Sequence, residues 1–250
     1  MVGESAKQKV LRVMLIGFNP VVREGLQAIL AKDEHISVMG HCEDGHEALL
    51  QMRQAFAQGQ PTDVVLTETR NSQVDGVQAT RLIKEEFPAV AVLVLTEFDN
   101  DSNVIDAIHA GAGGYIFLKD MMPATLLESV HRVVEGGTQM KTELLRKAVD
   151  ALIQNGRKTL AERTAEAAHL TPREVDVLRL MGNGDTNKGI AESLSISLDT
   201  TKKHAQNIIS KLGARSRTHA AIIAAQAGIV GNPITPLLPM LGGDGVVQAG

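Results

Sequence analysis

Between residues 10 and 136 the chain alternates short apolar runs with amphipathic stretches. The apolar runs cover 10–16, 36–39, 64–66, 90–95 and 115–118, are rich in Val, Ile and Leu, and are bounded by turn formers. Each predicts a buried strand. The stretches between them, 21–32, 46–56, 77–87, 103–110 and 123–135, repeat apolar positions at helical spacing. Five such strand–helix units in series imply an α/β, doubly wound, five-stranded parallel sheet with helices on both faces. In such sheets the functional crevice lies at the carboxyl ends of the strands.

Gly136-Gly137 closes this first unit, which is expected to span 10–137. Leu144, Leu145, Ala148 and Leu152 then recur at helical spacing, and a more polar helical stretch follows Gly156. Residues 138–168 therefore read as a helical linker. Residues 169–231 predict a second, all-α domain. Pro233, Pro236, Pro239 and Gly242-Gly243 mark 232–250 as a tail suited to neither helix nor strand, and 1–9 read the same way.

Within the second domain, Thr171-Pro172-Arg173-Glu174 is a helix start: Thr171 caps, Pro172 fits the first turn and Glu174 reaches back. Val175, Leu178, Leu180 and Met181 supply its expected inner face, and Gly182 and Gly184 stop it. A short helix over 187–194 follows. Ser195-Ile196-Ser197 connects it to a third helix over 198–212. Two short helices joined this tightly have helix-turn-helix geometry. The third helix carries Thr200, Thr201, Lys202, Lys203, Gln206 and Asn207. Lys can donate to guanine, and Gln and Asn can pair with adenine.

Charge distribution agrees. The chain carries a net charge of -4, but 170–231 holds eight basic and five acidic residues. A basic piece joined to an acidic remainder suits one DNA-binding domain. Aromatic residues make up only 2% and there is no Trp, which disfavours stacking-based RNA or single-strand binding. Cys42 is the only cysteine, so no internal disulfide or cysteine-based zinc cluster can form. Lys7, Lys9 and Arg12 break any signal-peptide pattern, and the apolar stretch 220–230 is interrupted and too short for a bilayer. A cytoplasmic chain without membrane partners is expected.

The run Leu170-Thr171-Pro172-Arg173-Glu174, Asn187-Lys188-Gly189-Ile190-Ala191, Leu194, Ile196-Ser197, Thr200-Thr201-Lys202-Lys203-His204, Lys211-Leu212 and Arg215-Ser216-Arg217 resembles the DNA-binding domain of NarL/LuxR-type regulators. The resemblance implies that Lys202, Lys203 and Gln206 face bases, that Asn187 and Lys188 lie near the DNA backbone, and that the helix over 217–226 dimerises. Double-stranded promoter DNA, a second copy of the chain and RNA polymerase are the implied partners. Thr201 stands where the family usually has Val.

The first domain then resembles a flavodoxin-like response-regulator receiver, through Asn19-Pro20, Asp75-Gly76, Thr96, Gly111-Ala112 and Lys119-Asp120. Receivers use an Asp at the end of the third strand as phosphoryl acceptor, an acidic pair after the first strand to hold Mg²⁺, and a Thr and a Lys on the phosphoryl oxygens. Here the acidic pair falls on Gly17 and Phe18, and the acceptor position on Glu68; Thr96 and Lys119 remain. The segment Gly114-Tyr115-Ile116-Phe117-Leu118-Lys119 is one residue longer than the family's, which predicts a flip or a bulge before Lys119. The loop 70–74 lacks the family's Met-Pro.

Loss of phosphorylation follows as the leading expectation, with no resident metal, no cofactor and no catalytic residues, and it calls a cognate histidine kinase into question. Glu68 is either an imitation of phosphorylated Asp, placed near Lys119 and Thr96, or a relict. Two alternatives stay open: a conventional kinase-driven regulator, and a module binding a small ligand or partner beside Phe18.

Overall fold

The computed structural model describes residues 9–71, 74–97, 101–139 and 170–226. The expected linker helices and most of both expected tails lie outside these residues.

The chain enters through β1 (Leu11–Ile16), α1 (Pro20–Leu30), β2 (Ile36–Cys42), α2 (Gly45–Ala57) and β3 (Val64–Glu68). A two-stranded antiparallel turn, β4 (Arg70–Asn71) and β5 (Val74–Asp75), precedes α3 (Gly76–Glu86). Then come β6 (Ala91–Thr96), α4 (Asp101–Ala110), β7 (Gly114–Phe117), a 3-10 turn (Leu118–Asp120) and α5 (Pro123–Val134). The long strands pair in parallel in the order β2-β1-β3-β6-β7. This is the doubly wound α/β sheet that the alternating pattern predicts.

Alternation sorts the two faces. Met14 and Ile16 of β1 pack with Leu49 and Met52 of α2, Ile83 of α3 and Ile108 of α4. Val13 and Leu15 pack on the other face with Leu26 and Leu30 of α1 and Leu126 and Val130 of α5. Each fully buried Leu or Ile contributes about 1.5–3 kcal/mol of transfer free energy. The helices begin where polar caps stand: Asn19 accepts from Val22 N at 3.0 Å, Asp44 from Glu47 N at 2.8 Å and Asp75 from Val77 N at 2.9 Å.

The segment 70–74, expected as a loop, instead carries β4 and the first residue of β5, which pair antiparallel. It delivers Gly76 so close to the end of β3 that a Cβ there would stand 1.9 Å from the Glu68 carbonyl oxygen. Only glycine permits that approach. At the other sheet edge the chain after α5 runs on beyond residue 137: Gln139 bridges Gly114, and Tyr115 N donates to Gln139 O at 2.7 Å.

The second domain comprises α6 (Pro172–Gly182), α7 (Asn187–Leu194), α8 (Leu198–Lys211) and α9 (Arg217–Gln226). The capping box at Thr171 and Glu174 forms as its sequence predicts. Glu174 also takes an ion pair from Lys211 at 2.7 Å, and these bonds hold its carboxyl below the usual range against the cost of burial. Val177, Leu178 and Met181 of α6 enclose a core with Ile190, Ile208, Leu212 and Ile223. Val177 thus joins the inner face in place of Val175, while Leu180, partly buried, packs against this core as expected. Ser195, at φ 53°, makes the left-handed turn between α7 and α8.

The two domains touch. Asn187 N donates to Glu135 O at 2.9 Å and Arg132 Nη2 to Gly184 O at 3.1 Å. Ile222 of α9 is fully buried within the apolar cluster on the α2–α4 face of the sheet.

Candidate functional sites

Gly17 follows β1 with φ +79°, a conformation that L side chains rarely adopt, and its N–H donates to Cys42 O at 3.0 Å. Phe18 points inward: it is 5% exposed and belongs to the apolar cluster of Leu95, Ile116 and Leu126. Neither residue offers a carboxylate. Glu68 is half-buried at the end of β3. Burial first, and the Glu97 carboxylate second, push its pKa up. Among the described residues no three His, Cys, Asp or Glu side chains gather as a metal cluster. The donor set does not fit the Mg²⁺ that receivers bind, because a hard cation needs converging oxygen ligands.

The extra residue before Lys119 is absorbed in a 3-10 turn, with no flip or bulge inside β7. Tyr115 and Phe117 face one cluster, Ile116 the other, and Leu118 continues the alternation by packing with Ile116 on that second side. Leu118 therefore occupies the step at which the family's Lys would leave the strand. Lys119 is carried onto the turn, exposed, with its ammonium 5.3 Å from the Phe117 ring centroid. What acts on the Glu68 carboxyl is desolvation and, second, the Glu97 carboxylate. Both Tyr115 and Phe117 are buried, and they meet edge to face at 5.7 Å.

Thr96 is fully buried. Its Oγ1 lies 2.6 Å from Thr69 Oγ1, and Thr69 directly follows Glu68. Sequence reading passed over Thr69, since nothing in local patterning marks a Thr just beyond a strand as a partner for one 27 positions on.

In the second domain α8 presents Lys202, Lys203, Gln206 and Asn207 to solvent on one flank, and Lys188 of α7 is exposed beside it. Thr200 is engaged at the helix start, its Oγ1 2.7 Å from Ser197 Oγ. Thr201 is a correction: it is fully buried and its hydroxyl donates back to Ser197 O at 3.1 Å, so it faces the core and not a groove. Asn187 is also engaged elsewhere, because its Oδ1 accepts from Arg217 Nη1 at 3.0 Å while its amide binds Glu135 O.

Residues 13–131 match the family described as response regulator receiver domain, and residues 168–224 the bacterial regulatory proteins of the luxR family. Transcriptional regulatory protein LnrK of Bacillus subtilis (strain 168) is 35% identical over 224 residues, covering 88% of this chain and 98% of that protein. The chain is a LuxR-type response regulator. Transcriptional regulatory protein LiaR of the same organism is 33% identical over 220 residues, covering 88% of this chain and 99% of that one. A LuxR-family two-component response regulator from Aurantimonas sp. SI85-9A1 shares the fold with a TM-score of 0.50 at 24% identity, covering 58% of this chain and 99% of that structure. This regulator is thus a DNA-binding protein of transcription control. No helix among its described residues is long and apolar enough to cross a membrane.

Proposed function

We propose that this regulator works without phosphorylation of its receiver domain. The observation that carries the reading is the trio Gly17, Phe18 and Glu68 at the carboxyl ends of β1 and β3. A left-handed glycine and a buried phenyl ring supply no metal ligand, and a glutamate stands where the acceptor aspartate belongs. Removing Lys119 from the alternation of β7 supports the same conclusion, since the cation that would hold a phosphoryl oxygen now lies over Phe117. The chain is then not an enzyme, needs no cofactor, acts in the cytoplasm and has no obligatory histidine kinase.

Its partners are double-stranded promoter DNA, a second copy of itself and RNA polymerase. Lys202, Lys203, Gln206 and Asn207 read base edges, while Lys188 and Thr200 approach phosphates. Residues 10–137 serve as the receiver, 138–168 as the connection and 169–231 as the DNA-binding domain.

The experiment is incubation of the full chain with acetyl phosphate and Mg²⁺, followed by intact mass, alongside operator binding with and without EDTA. Unchanged mass and EDTA-insensitive binding are expected. Stoichiometric, Mg²⁺-dependent phosphorylation would return the chain to the conventional, kinase-driven class.

A further inference from the structure

Two histidines meet where the domains touch. His109 lies in the last turn of α4 and His219 in the first turn of α9. Their rings stack with centroids 5.2 Å apart and planes at 22°. His219 is 5% exposed and His109 is half-buried. His219 Nδ1 accepts from the Arg215 backbone N at 3.3 Å. A backbone amide can only donate, so this ring nitrogen carries no proton in the closed arrangement. The surrounding contact is tight: Ser216 Oγ donates to Ala112 O at 3.5 Å, Thr218 Oγ1 to Gly113 O at 3.4 Å, and Ile222 completes the apolar cluster above.

We propose that the stacked His109–His219 pair makes the closure of the two domains proton-sensitive, so that acidification drives them apart. Two effects act in the same direction. Protonation of His219 at Nδ1 replaces an acceptor with a donor and breaks the bond from Arg215. Charging both rings sets two cations about 5 Å apart in a contact with little water, where like charges repel far more than in bulk solvent.

Among the described residues, the other charged groups at the contact do not reverse this sign. From the segment before α9, Arg215 places its guanidinium on His109 O at 3.4 Å. Arg217 of α9 is deeply buried, with its charge spent on Asn187 and the Asp185 carbonyl. From α3, Lys84 reaches the Gly111 turn beside Arg215. From α5, Arg132 holds the Gly184 carbonyl. Of the carboxylates, Asp106 on α4 is exposed and screened, Asp185 acts on Arg217, and Glu135 meets the second domain through its backbone carbonyl. A proton arriving at the pair therefore enters a region already bearing cations. Opening would uncover Ile222 of α9 and release Asn187 from Glu135. The inference rests on the closed arrangement alone, and its failure would leave the phosphorylation reading untouched.

The test compares the full chain at about pH 8 and about pH 5.5, the two sides of the ordinary histidine range. Small-angle scattering reads the domain separation, hydrogen exchange reads the α9 amides, and far-UV circular dichroism monitors the fold. Expected is expansion with α9 protection factors, taken relative to the intrinsic exchange rate at each pH, at least about tenfold lower at the lower pH, with helicity unchanged. The variant His109→Phe with His219→Asn keeps a stacking ring and an acceptor for Arg215 N but cannot titrate; it should stay closed at both values. His109→Phe alone should make the opening less steep in pH. A wild-type chain equally closed at both values, an opening with its midpoint in the carboxylate range, or a double variant that opens along with the wild type would each overturn the proposal.

Discussion

Thr69 and Thr96 meet hydroxyl to hydroxyl at 2.6 Å, joining the residue after β3 to the last residue of β6 beneath the carboxyl edge of the sheet. Both are buried, at and just beyond the ends of the paired strands β6 and β3, so the bond joins two neighbouring strand ends in a region of low dielectric. Thr69→Val deletes one hydroxyl from this pair and should cost the receiver domain about 1 kcal/mol. The measure is a lower urea midpoint with an unchanged slope. A cycle with Thr96→Val should show coupling; strictly additive losses would mean that the bond contributes nothing.

Asp33 and His131 tie the loop after α1 to α5 at 2.7 Å. The His131 hydrogen bond, then the His35 backbone N–H, holds the Asp33 carboxyl below its usual range. A carboxylate whose folded value is depressed contributes stability above its unfolded value, and that contribution is lost as pH falls through the folded one. Asp33→Asn should therefore lower receiver stability by roughly 0.5–1 kcal/mol near pH 6, since the pair is partly exposed. The gap to the wild type should close below about pH 3.8, the ordinary carboxylate value. A gap that persists in acid would assign the loss to packing.

Much of the fold is legible because each buried strand satisfies a local rule. Val64-Val65-Leu66 can only be a two-face buried strand, and Asn19-Pro20, Asp75-Gly76 and Thr171-Pro172 are helix starts on chemistry alone. Whatever depends on partners distant in sequence was not legible. The period of α8 places Thr201 at the edge of both faces, and only the tertiary packing of the domain decides that it is buried. The extra residue before Lys119 offered a flip or a bulge on local grounds. The structure turns it into a 3-10 step because Leu118 gains an apolar neighbourhood that a polar side chain would not. Asn187 carries a phosphate-contact pattern, yet its bonds to Arg217 and Glu135 come from elements 30 and 52 positions away.

The recognition helix separates into residues that should and should not matter for DNA. Lys202→Ala removes an exposed cation and should weaken specific operator binding by about 1–3 kcal/mol if it reads a base. Equal losses on operator and random duplex would make it a phosphate contact, with a shallower salt dependence. Thr201→Val should leave DNA affinity unchanged. Its hydroxyl bonds Ser197 O, which already accepts from the Thr201 amide, so no acceptor is orphaned and stability should shift by less than about 1 kcal/mol. Fluorescence anisotropy on operator and scrambled duplexes distinguishes these outcomes.

Restoring phosphorylation should require more than restoring an acceptor. Glu68→Asp alone leaves Gly17 and Phe18 in place of the acidic pair, so the mass after acetyl phosphate and Mg²⁺ should not change. Adding Gly17→Asp places an L side chain at φ +79°, at a cost of roughly 1–2 kcal/mol. Adding Phe18→Asp removes a ring from the Leu95, Ile116 and Leu126 cluster and puts a carboxyl in its place, with further loss of stability. Even this triple variant keeps Leu118 where the strand should deliver a lysine, and Lys119 over Phe117. Deleting Leu118 shortens the segment by one residue and returns the lysine to the alternation that now carries Leu118. The combination of all four changes is expected to gain one phosphoryl group per chain, and the triple variant a small fraction of that. Full phosphorylation of Glu68→Asp alone would show that neither the displaced lysine nor the missing acidic pair prevents phosphorylation.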